Sequence, residues 1–209
     1  MKIIVITLFS VLLLGCINKK HIPLNKDIED VVTACIINKL GNDSAARYYY
    51  KLMPPAMYKD KPILKKYYDS IESILDTAKI YIVLPDILKP LNQSEKHDVS
   101  FAIKETSIKN EFKILLQNLT QGTSEINIDL HYIQKILKYN VRANDSSFEN
   151  IARIGFLEFT IPKFNAAKTK AVIYLNFYCG SKCGTGDIFI LEKLNNNWIV
   201  IKDYGTWIS

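Results

Sequence analysis

Apolar residues recur at helical spacing in three parts of the chain. In residues 26–40 they repeat at i, i+3, i+4 and i+7, which is typical of a helix that buries one face. These positions are Ile28, Val31, Val32, Cys35, Ile36 and Leu40. Gly41 is the predicted end of this helix, and Cys35 is predicted to be a buried thiol in its apolar face. The same spacing predicts further helices over about 62–77 and about 108–119.

The second half of the chain contains short runs of aromatic and β-branched residues that are separated by turns. These runs occupy residues 153–163, 169–178, 187–194 and 198–204. The segment Asn195-Asn196-Asn197 is the predicted tight turn before the last run, because asparagine tolerates a positive φ. Four consecutive strands with short connections predict an antiparallel meander.

The pattern between these two parts is less regular. Residues 79–84 are predicted to form a strand and 87–98 a loop, and Ser107 is the predicted N-cap of the helix that follows. Residues 126–143 are compatible with either a strand or a helix. Helices followed by strands predict an α+β fold, in which N-terminal helices pack on a C-terminal antiparallel meander within one domain over 26–209. By analogy at the level of the fold, NTF2-like and cystatin-like domains combine helices and a curved sheet in this way.

The N-terminus joins a basic start to an apolar run that ends in Gly15-Cys16. As a helix, the run over 3–14 would cover about 18 Å, which is too short for a hydrocarbon core of roughly 30 Å. With its Leu-Leu-Gly-Cys ending, this segment resembles a bacterial lipoprotein signal. The resemblance implies a signal peptide over 1–15, a lipid on Cys16, and a short tether over 16–25 that leads into the folded domain.

Composition and charge narrow the range of partners. The 209 residues are 48% hydrophobic and 23% charged, as in a globular protein, and the formal net charge is +6. Because the lysines are scattered and no arginines cluster, this charge does not predict nucleic-acid binding. The lipoprotein resemblance implies a protein of the bacterial cell envelope whose first partner is a membrane. Since Ile17 follows Cys16 where an aspartate would favour inner-membrane retention, we expect the outer membrane in a gram-negative host.

Cys179 and Cys183 flank a glycine-rich segment between two predicted strands. Disulfides persist outside the cytoplasm, so this pair predicts a disulfide that staples a wide hairpin loop, with glycines at positive φ. The alternatives are a redox dithiol, a metal site and a phosphate-binding loop. A cysteine nucleophile served by His131 and Asp129 is a further alternative, and only the fold can bring such partners together.

The last quarter of the chain adds more residues to this cysteine pair. A C-G-x-x-C-G-x-G element covers 179–186, Trp198 follows, and the chain ends in Trp207-Ile208-Ser209. This combination resembles the C-terminal part of exported bacterial lipoproteins that have no assigned activity. The resemblance implies a shared strand meander and brings no catalytic residues with it.

One face of the strand predicted over 169–178 mixes aromatic and polar side chains. Tyr174, Asn176 and Tyr178 lie on this face, and the apolar residues between them point towards the helices. Glu158 places a carboxylate on the preceding strand. This mixed face is compatible with a cleft lining, a partner surface or a solvent-facing surface, and a carboxylate in a lined pocket can act as an acid or a base. In the first case these four residues are the candidates for lining the ligand.

The function predicted from these features is a non-enzymatic binding or interaction module. The sequence contains no motif of a known catalytic site and predicts neither a cofactor nor a metal. Its ligand is predicted to be a protein or a small molecule of the envelope. One alternative is an exported hydrolase or thiol-redox enzyme centred on Cys179 and Cys183, and another is a structural or assembly lipoprotein.

Overall fold

The computed structural model describes most of the chain that follows the predicted tether. The described residues are 26–41, 81–105, 107–137, 140–143, 153–180 and 183–209, together with Pro62, Lys66 and Asp69. The predicted signal peptide, Cys16 and the tether lie outside them. Of the helix predicted over about 62–77, the three single residues are helical and the others lie outside the described part. No helix of the described residues is long and apolar enough to span a membrane.

Helices and short strands are mixed in the first part of the described residues, and only strands follow the last helix. The helices are α1 (Lys26–Leu40), α2 (Gln93–Lys104), α3 (Asn110–Thr120) and α4 (Leu130–Ile136). The strands are β1 (Tyr81–Val83), β2 (Ile87–Leu88), β3 (Ile126–Asn127), β4 (Asn140–Arg142), β5 (Arg153–Phe159), β6 (Lys163–Phe164), β7 (Lys170–Gly180), β8 (Cys183–Leu194) and β9 (Asn197–Ile208). The fold is therefore mixed α+β, and the predicted limits of α1 are confirmed.

A seven-stranded sheet organises the fold. Its order is β4-β1-β5-β7-β8-β9, and the short strand β6 pairs with β7 beyond the end of β5. The predicted antiparallel pairing from β5 through β7 and β8 to β9 is confirmed. Strands β1 and β4 extend the sheet in parallel with β5, which the sequence pattern did not predict. Asn195 and Asn196 have φ of 49° and 63°, so they form the predicted tight turn between β8 and β9.

Helices cover both faces of the sheet. On one face α1 and α4 close a large core with the inward side chains of the central strands, among them Ile173, Leu175 and Phe189. On the other face α2 and α3 close a second core over Val172 and Tyr174 of β7. The mixed aromatic and polar face of β7 is therefore covered by helices at this end.

Ion pairs tie α1 to the sheet near both of its ends. Lys193 lies 2.6 Å from Asp27, which also accepts a hydrogen bond of 3.1 Å from the indole of Trp198. Lys39 lies 2.6 Å from Asp187. Asp27 and Lys39 are twelve residues apart in α1, which is about 18 Å, and Asp187 and Lys193 are six residues apart in β8, which is about 20 Å. Because the later residue of α1 pairs with the earlier residue of β8, the helix runs antiparallel to this strand.

The pKa shifts of Asp27 and Cys35 agree with the packing of α1 against the sheet. Burial raises the pKa of Asp27, but the hydrogen bonds from Lys193 and Trp198 outweigh it and bring the pKa below its ordinary value. Cys35 is fully buried as predicted, and burial raises the pKa of its thiol well above the usual range. Gly41 ends the helix at φ of 73°.

The structure corrects two local predictions and resolves one region that the sequence left open. The loop predicted over 87–98 is wrong, because β2 and the start of α2 lie there and Asn92 and Glu95 form a capping box. Ser107 is not the N-cap of α3, which begins after Lys109 without a side-chain cap. Residues 126–143, compatible with strand or helix in the sequence, contain β3, α4 and β4.

Candidate functional site

The register of β5 and β7 brings three of the four predicted site residues together. Glu158 is the cross-strand partner of Asn176, and Tyr178 pairs with Phe156 in the adjacent position of the same face. Side chains directly opposite one another on an antiparallel pair are in contact range. The three residues therefore occupy one patch of the sheet, in which Glu158 is exposed and Tyr178 is partly exposed, whereas Asn176 is buried and does not line the surface.

The fourth predicted residue, Tyr174, lies beneath the helices. Its side chain is fully buried, and its hydroxyl donates to Asp98 at 3.0 Å and lies 3.0 Å from the hydroxyl of Thr206. Burial raises the pKa of this hydroxyl, Asp98 adds to the shift, and the hydrogen bond with Thr206 opposes it. Tyr174 consequently supports the patch from below and does not line its surface.

A chain of hydrogen bonds fixes the centre of the patch. The amide nitrogen of Asn176 donates to Glu95 Oε1 at 2.5 Å, and the indole of Trp207 donates to Asn176 Oδ1 at 3.2 Å. The other oxygen of Glu95 accepts a bond of 2.7 Å from the backbone amide of Asn92. The N-terminus of α2 is thus connected through Asn176 to the last strand, and the side-chain amide of Asn176 is held at both ends.

Three partly exposed rings form a row across the sheet, which we call the aromatic row: Phe156, Tyr178 and Trp207. The ring centroids of Phe156 and Tyr178 are 6.2 Å apart, and those of Tyr178 and Trp207 are 5.8 Å apart. The interplanar angles are 33° and 39°, so consecutive rings are tilted and neither cross at right angles nor enclose a cage.

Two glycines of β8 leave the space that the indole of Trp207 occupies. A Cβ at Gly184 would lie 2.9 Å from the indole, and a Cβ at Gly186 would overlap the indole and lie 2.5 Å from the hydroxyl of Tyr174. Neither glycine has a positive φ, so the predicted reason for the glycines after Cys183 is wrong. They are needed because the indole lies directly over the strand, where any side chain would displace it.

Glu158 and Tyr178 have polar ends without a hydrogen-bond partner among the described residues. Partial burial and the nearby charge of Glu95 raise the pKa of the Glu158 carboxyl, and Lys89 opposes this shift. Burial and the charges of Glu158 and Glu95 raise the pKa of the Tyr178 hydroxyl. Both groups are therefore available to bond a ligand.

A cleft of about 170 Å³ adjoins this patch. Glu158 and Glu95 form part of its wall, and Lys89, Asn92 and Thr160 add further polar groups to it. Carboxylate, ammonium and amide groups around a small cleft can orient a polar ligand from several directions.

The cysteine pair lies at the tip of the β7–β8 hairpin. Cys179 and Cys183 form the predicted disulfide, with Cα atoms 5.2 Å apart. The predicted wide loop is wrong, because the ladder continues through Tyr178 and Gly184 to the pair formed by Gly180 and Cys183. Gly184 and Gly186 make room for the indole of Trp207 over this part of the ladder.

The cysteine–histidine arrangement considered from the sequence is not assembled. Asp129 is the N-cap of α4 and accepts hydrogen bonds from the backbone amides of His131 and Tyr132. Both sulfurs of the cysteine pair are in the disulfide. Within the described ranges, no three histidine, cysteine, aspartate or glutamate side chains come together as a metal-binding group.

Replacing Cys179 and Cys183 with serine is expected to lower the free energy of unfolding by about 2 kcal/mol, because the bridge closes a short loop in the unfolded chain. The bridge joins residues only four apart. Urea denaturation of the oxidised wild type and of the double variant measures the difference. Alkylation of both cysteines in the folded, non-reduced protein would contradict the disulfide itself.

The groups that hold the patch in place by hydrogen bonds were not predicted from the sequence. Glu95 and Asn92 are signalled by the pattern Asn-x-x-Glu, which is typical of a capping box, but few apolar residues follow it. The position of Trp207 is indicated more weakly. Gly184 and Gly186 are two residues apart, so both lie on one face of the strand, and the absence of side chains there leaves space for another group. Comparison of the chain with protein-family models, with curated proteins and with solved structures finds no match.

Proposed function

We propose that the protein is a lipid-anchored envelope protein that binds a ligand through the patch around Glu158 and does not act as an enzyme. One observation carries the proposal: Glu158 lines a preformed cleft and Tyr178 lies near it, and neither polar group has a hydrogen-bond partner among the residues that the structure describes. Asn176 is held from both sides, so the patch needs little rearrangement to receive a ligand.

The proposal includes the finer arrangement predicted from the sequence, in which the helices pack on a C-terminal meander. NTF2-like and cystatin-like domains use such an arrangement to enclose small pockets, and this analogy concerns the fold alone. The position of α2 supports it, because the cleft lies between the N-terminus of α2, the end of β5 and the segment 85–90. A hydrogen bond from Asn176 to Glu95 joins α2 to β7 beside this cleft.

The anchor in this proposal is a diacylglyceryl group on Cys16. Two acyl chains hold a protein stably where a single chain gives marginal binding, since each buried methylene contributes about 0.8 kcal/mol. We expect Cys16→Ala to abolish labelling by a radioactive fatty acid and to prevent maturation of the exported protein. Cys35→Ala is the matched control, and equal labelling of the Cys16→Ala variant and the wild type would disprove the anchor. Fractionation of a gram-negative host tests the expected outer-membrane location.

Binding is tested with the full chain purified in detergent and incubated with a small-molecule extract of the host envelope. Mass spectrometry identifies the compounds that remain bound after gel filtration. We expect the Glu158→Gln/Tyr178→Phe variant to retain much less of at least one compound than the wild type. Phe101→Ala, which removes an exposed ring from α2, is the control that should bind normally. Equal retention by both variants would exclude this patch as the binding site.

An enzyme centred on Cys179 and Cys183 is the alternative that we rank lower. A reactive thiolate needs a basic neighbour or a helix N-terminus to lower its pKa. The described residues on both sides of the pair belong to strands. A structural or assembly lipoprotein is the third candidate, and it would bind no small molecule at the patch.

A further inference from the structure

We propose that the aromatic row and Glu158 form a saccharide-binding site, whose ligand is a short chain of pyranose rings. This inference rests on the binding function proposed above and names the ligand class. A pyranose has a face of C–H groups and a rim of hydroxyls, so it needs flat apolar surfaces together with hydrogen-bonding groups at their edge. The aromatic row and its surroundings combine both.

The stacking surface is rigid before any ligand arrives. Trp207 is held over Gly184 and Gly186 by shape and by its hydrogen bond to Asn176. Tyr178 lies against Trp207 on one side and Phe156 on the other. Rigid rings lose little conformational entropy on binding, so stacking on them costs less than stacking on flexible side chains.

The spacing of the rings fits successive units of an oligosaccharide. Consecutive centroids are 6.2 Å and 5.8 Å apart, a separation on the scale of one sugar ring. All three rings remain partly exposed, whereas Tyr174 on the same face of β7 is fully buried beneath α2 and α3. The partly exposed rings can therefore be reached by a ligand, and each offers a flat apolar surface.

Polar groups lie along one edge of the row. Glu158 occupies the same face as Phe156, two residues further along β5, and lies opposite Asn176. Its carboxylate can accept hydrogen bonds from sugar hydroxyls, and such charge-assisted bonds are stronger than neutral ones. The Tyr178 hydroxyl supplies a donor and an acceptor at the same edge.

A cationic ligand is the strongest competitor, because aromatic rings and carboxylates also bind ammonium groups. Such sites usually surround the cation with several ring faces. Here the rings are tilted by 33° and 39° in a row, and Lys89 lies in the adjoining cleft. A row of this kind offers more contact to an extended, uncharged ligand than to a compact cation.

The test uses the full chain in detergent and titrates it with cellotriose, triacetylchitotriose and maltotriose. Intrinsic fluorescence reports stacking directly, since the chain has two tryptophans and Trp198 is buried on the opposite face. We expect at least one trisaccharide to shift the emission of Trp207. Trp207→Ala should weaken binding at least about tenfold in isothermal titration calorimetry, and Glu158→Gln about fivefold. Phe101→Ala should stay within about twofold of the wild type.

The outcomes with different variants and ligands distinguish a failure of the saccharide proposal from a failure of the proposed binding function. Circular dichroism tests whether Trp207→Ala is folded. If it is not, Tyr178→Ala takes its place with the same expected loss. Binding of choline without any trisaccharide would assign the site to cations and overturn the saccharide proposal. If no trisaccharide binds but an envelope compound is retained in a Glu158-dependent manner, the ligand class is wrong and the binding function stands. If neither is bound, both proposals fail.

Discussion

Placing a single methyl group at Gly186 is expected to lower the free energy of unfolding by about 3 kcal/mol, through overpacking and the loss of buried hydrogen bonds. In Gly186→Ala the new Cβ would overlap the indole of Trp207 and lie 2.5 Å from the hydroxyl of Tyr174. Neither neighbour can move freely. Trp207 is bonded to Asn176, and Tyr174 is bonded to Asp98 beneath the helices.

Gly205→Ala is the matched control for this substitution. Gly205 lies in the adjacent strand β9, and a Cβ there would meet only Asp187 Oδ1, at an ordinary distance of 3.9 Å. We expect its stability to stay within about 0.5 kcal/mol of the wild type. Urea denaturation followed by circular dichroism compares the three proteins. Equal midpoints for the two variants would mean that Trp207 is not seated on Gly186, and the aromatic row would lose its support.

The parts of the fold that the sequence predicts well are those with a strong period or a distinctive turn. The limits of α1 follow from its apolar stripe and Gly41, and the meander follows from its short runs and from the turn at Asn195 and Asn196. Helix α2 has only Val99 and Ala102 buried, so it has almost no apolar stripe to detect. Its capping box is the one local signal that could have indicated it.

The candidate site could be predicted only in part, because its register depends on contacts distant in sequence. Alternation along β7 places Asn176 and Tyr178 on one face, and that much is local. Pairing Glu158 with Asn176 depends on the ladder between β5 and β7, and Glu95 arrives from a helix far earlier in the chain. Burial of Tyr174 depends on α2 and α3, whose packing position no local pattern specifies.

Two ion pairs of equal length are expected to differ strongly in their contribution to stability. Lys39 and Asp187 are 2.6 Å apart with side chains 17% and 8% exposed, whereas Lys170 and Glu111 are 2.6 Å apart with side chains 27% and 44% exposed. Solvent screens the second pair, so removing its lysine should cost less than about 1 kcal/mol. Removing Lys39 should cost about 3 kcal/mol, because it leaves the buried carboxylate of Asp187 without a counter-charge.

Double-mutant cycles measure this difference directly. Lys39→Met, Asp187→Leu and the double variant form one cycle, and Lys170→Met, Glu111→Leu and the double variant form the other. We expect the Lys39→Met/Asp187→Leu protein to recover much of the stability lost in Lys39→Met, since the uncompensated charge is gone. Thr185 complicates the recovery slightly, because its hydroxyl donates to Asp187 at 2.9 Å and loses that partner. Equal coupling energies in the two cycles would show that burial does not set the strength of the pair.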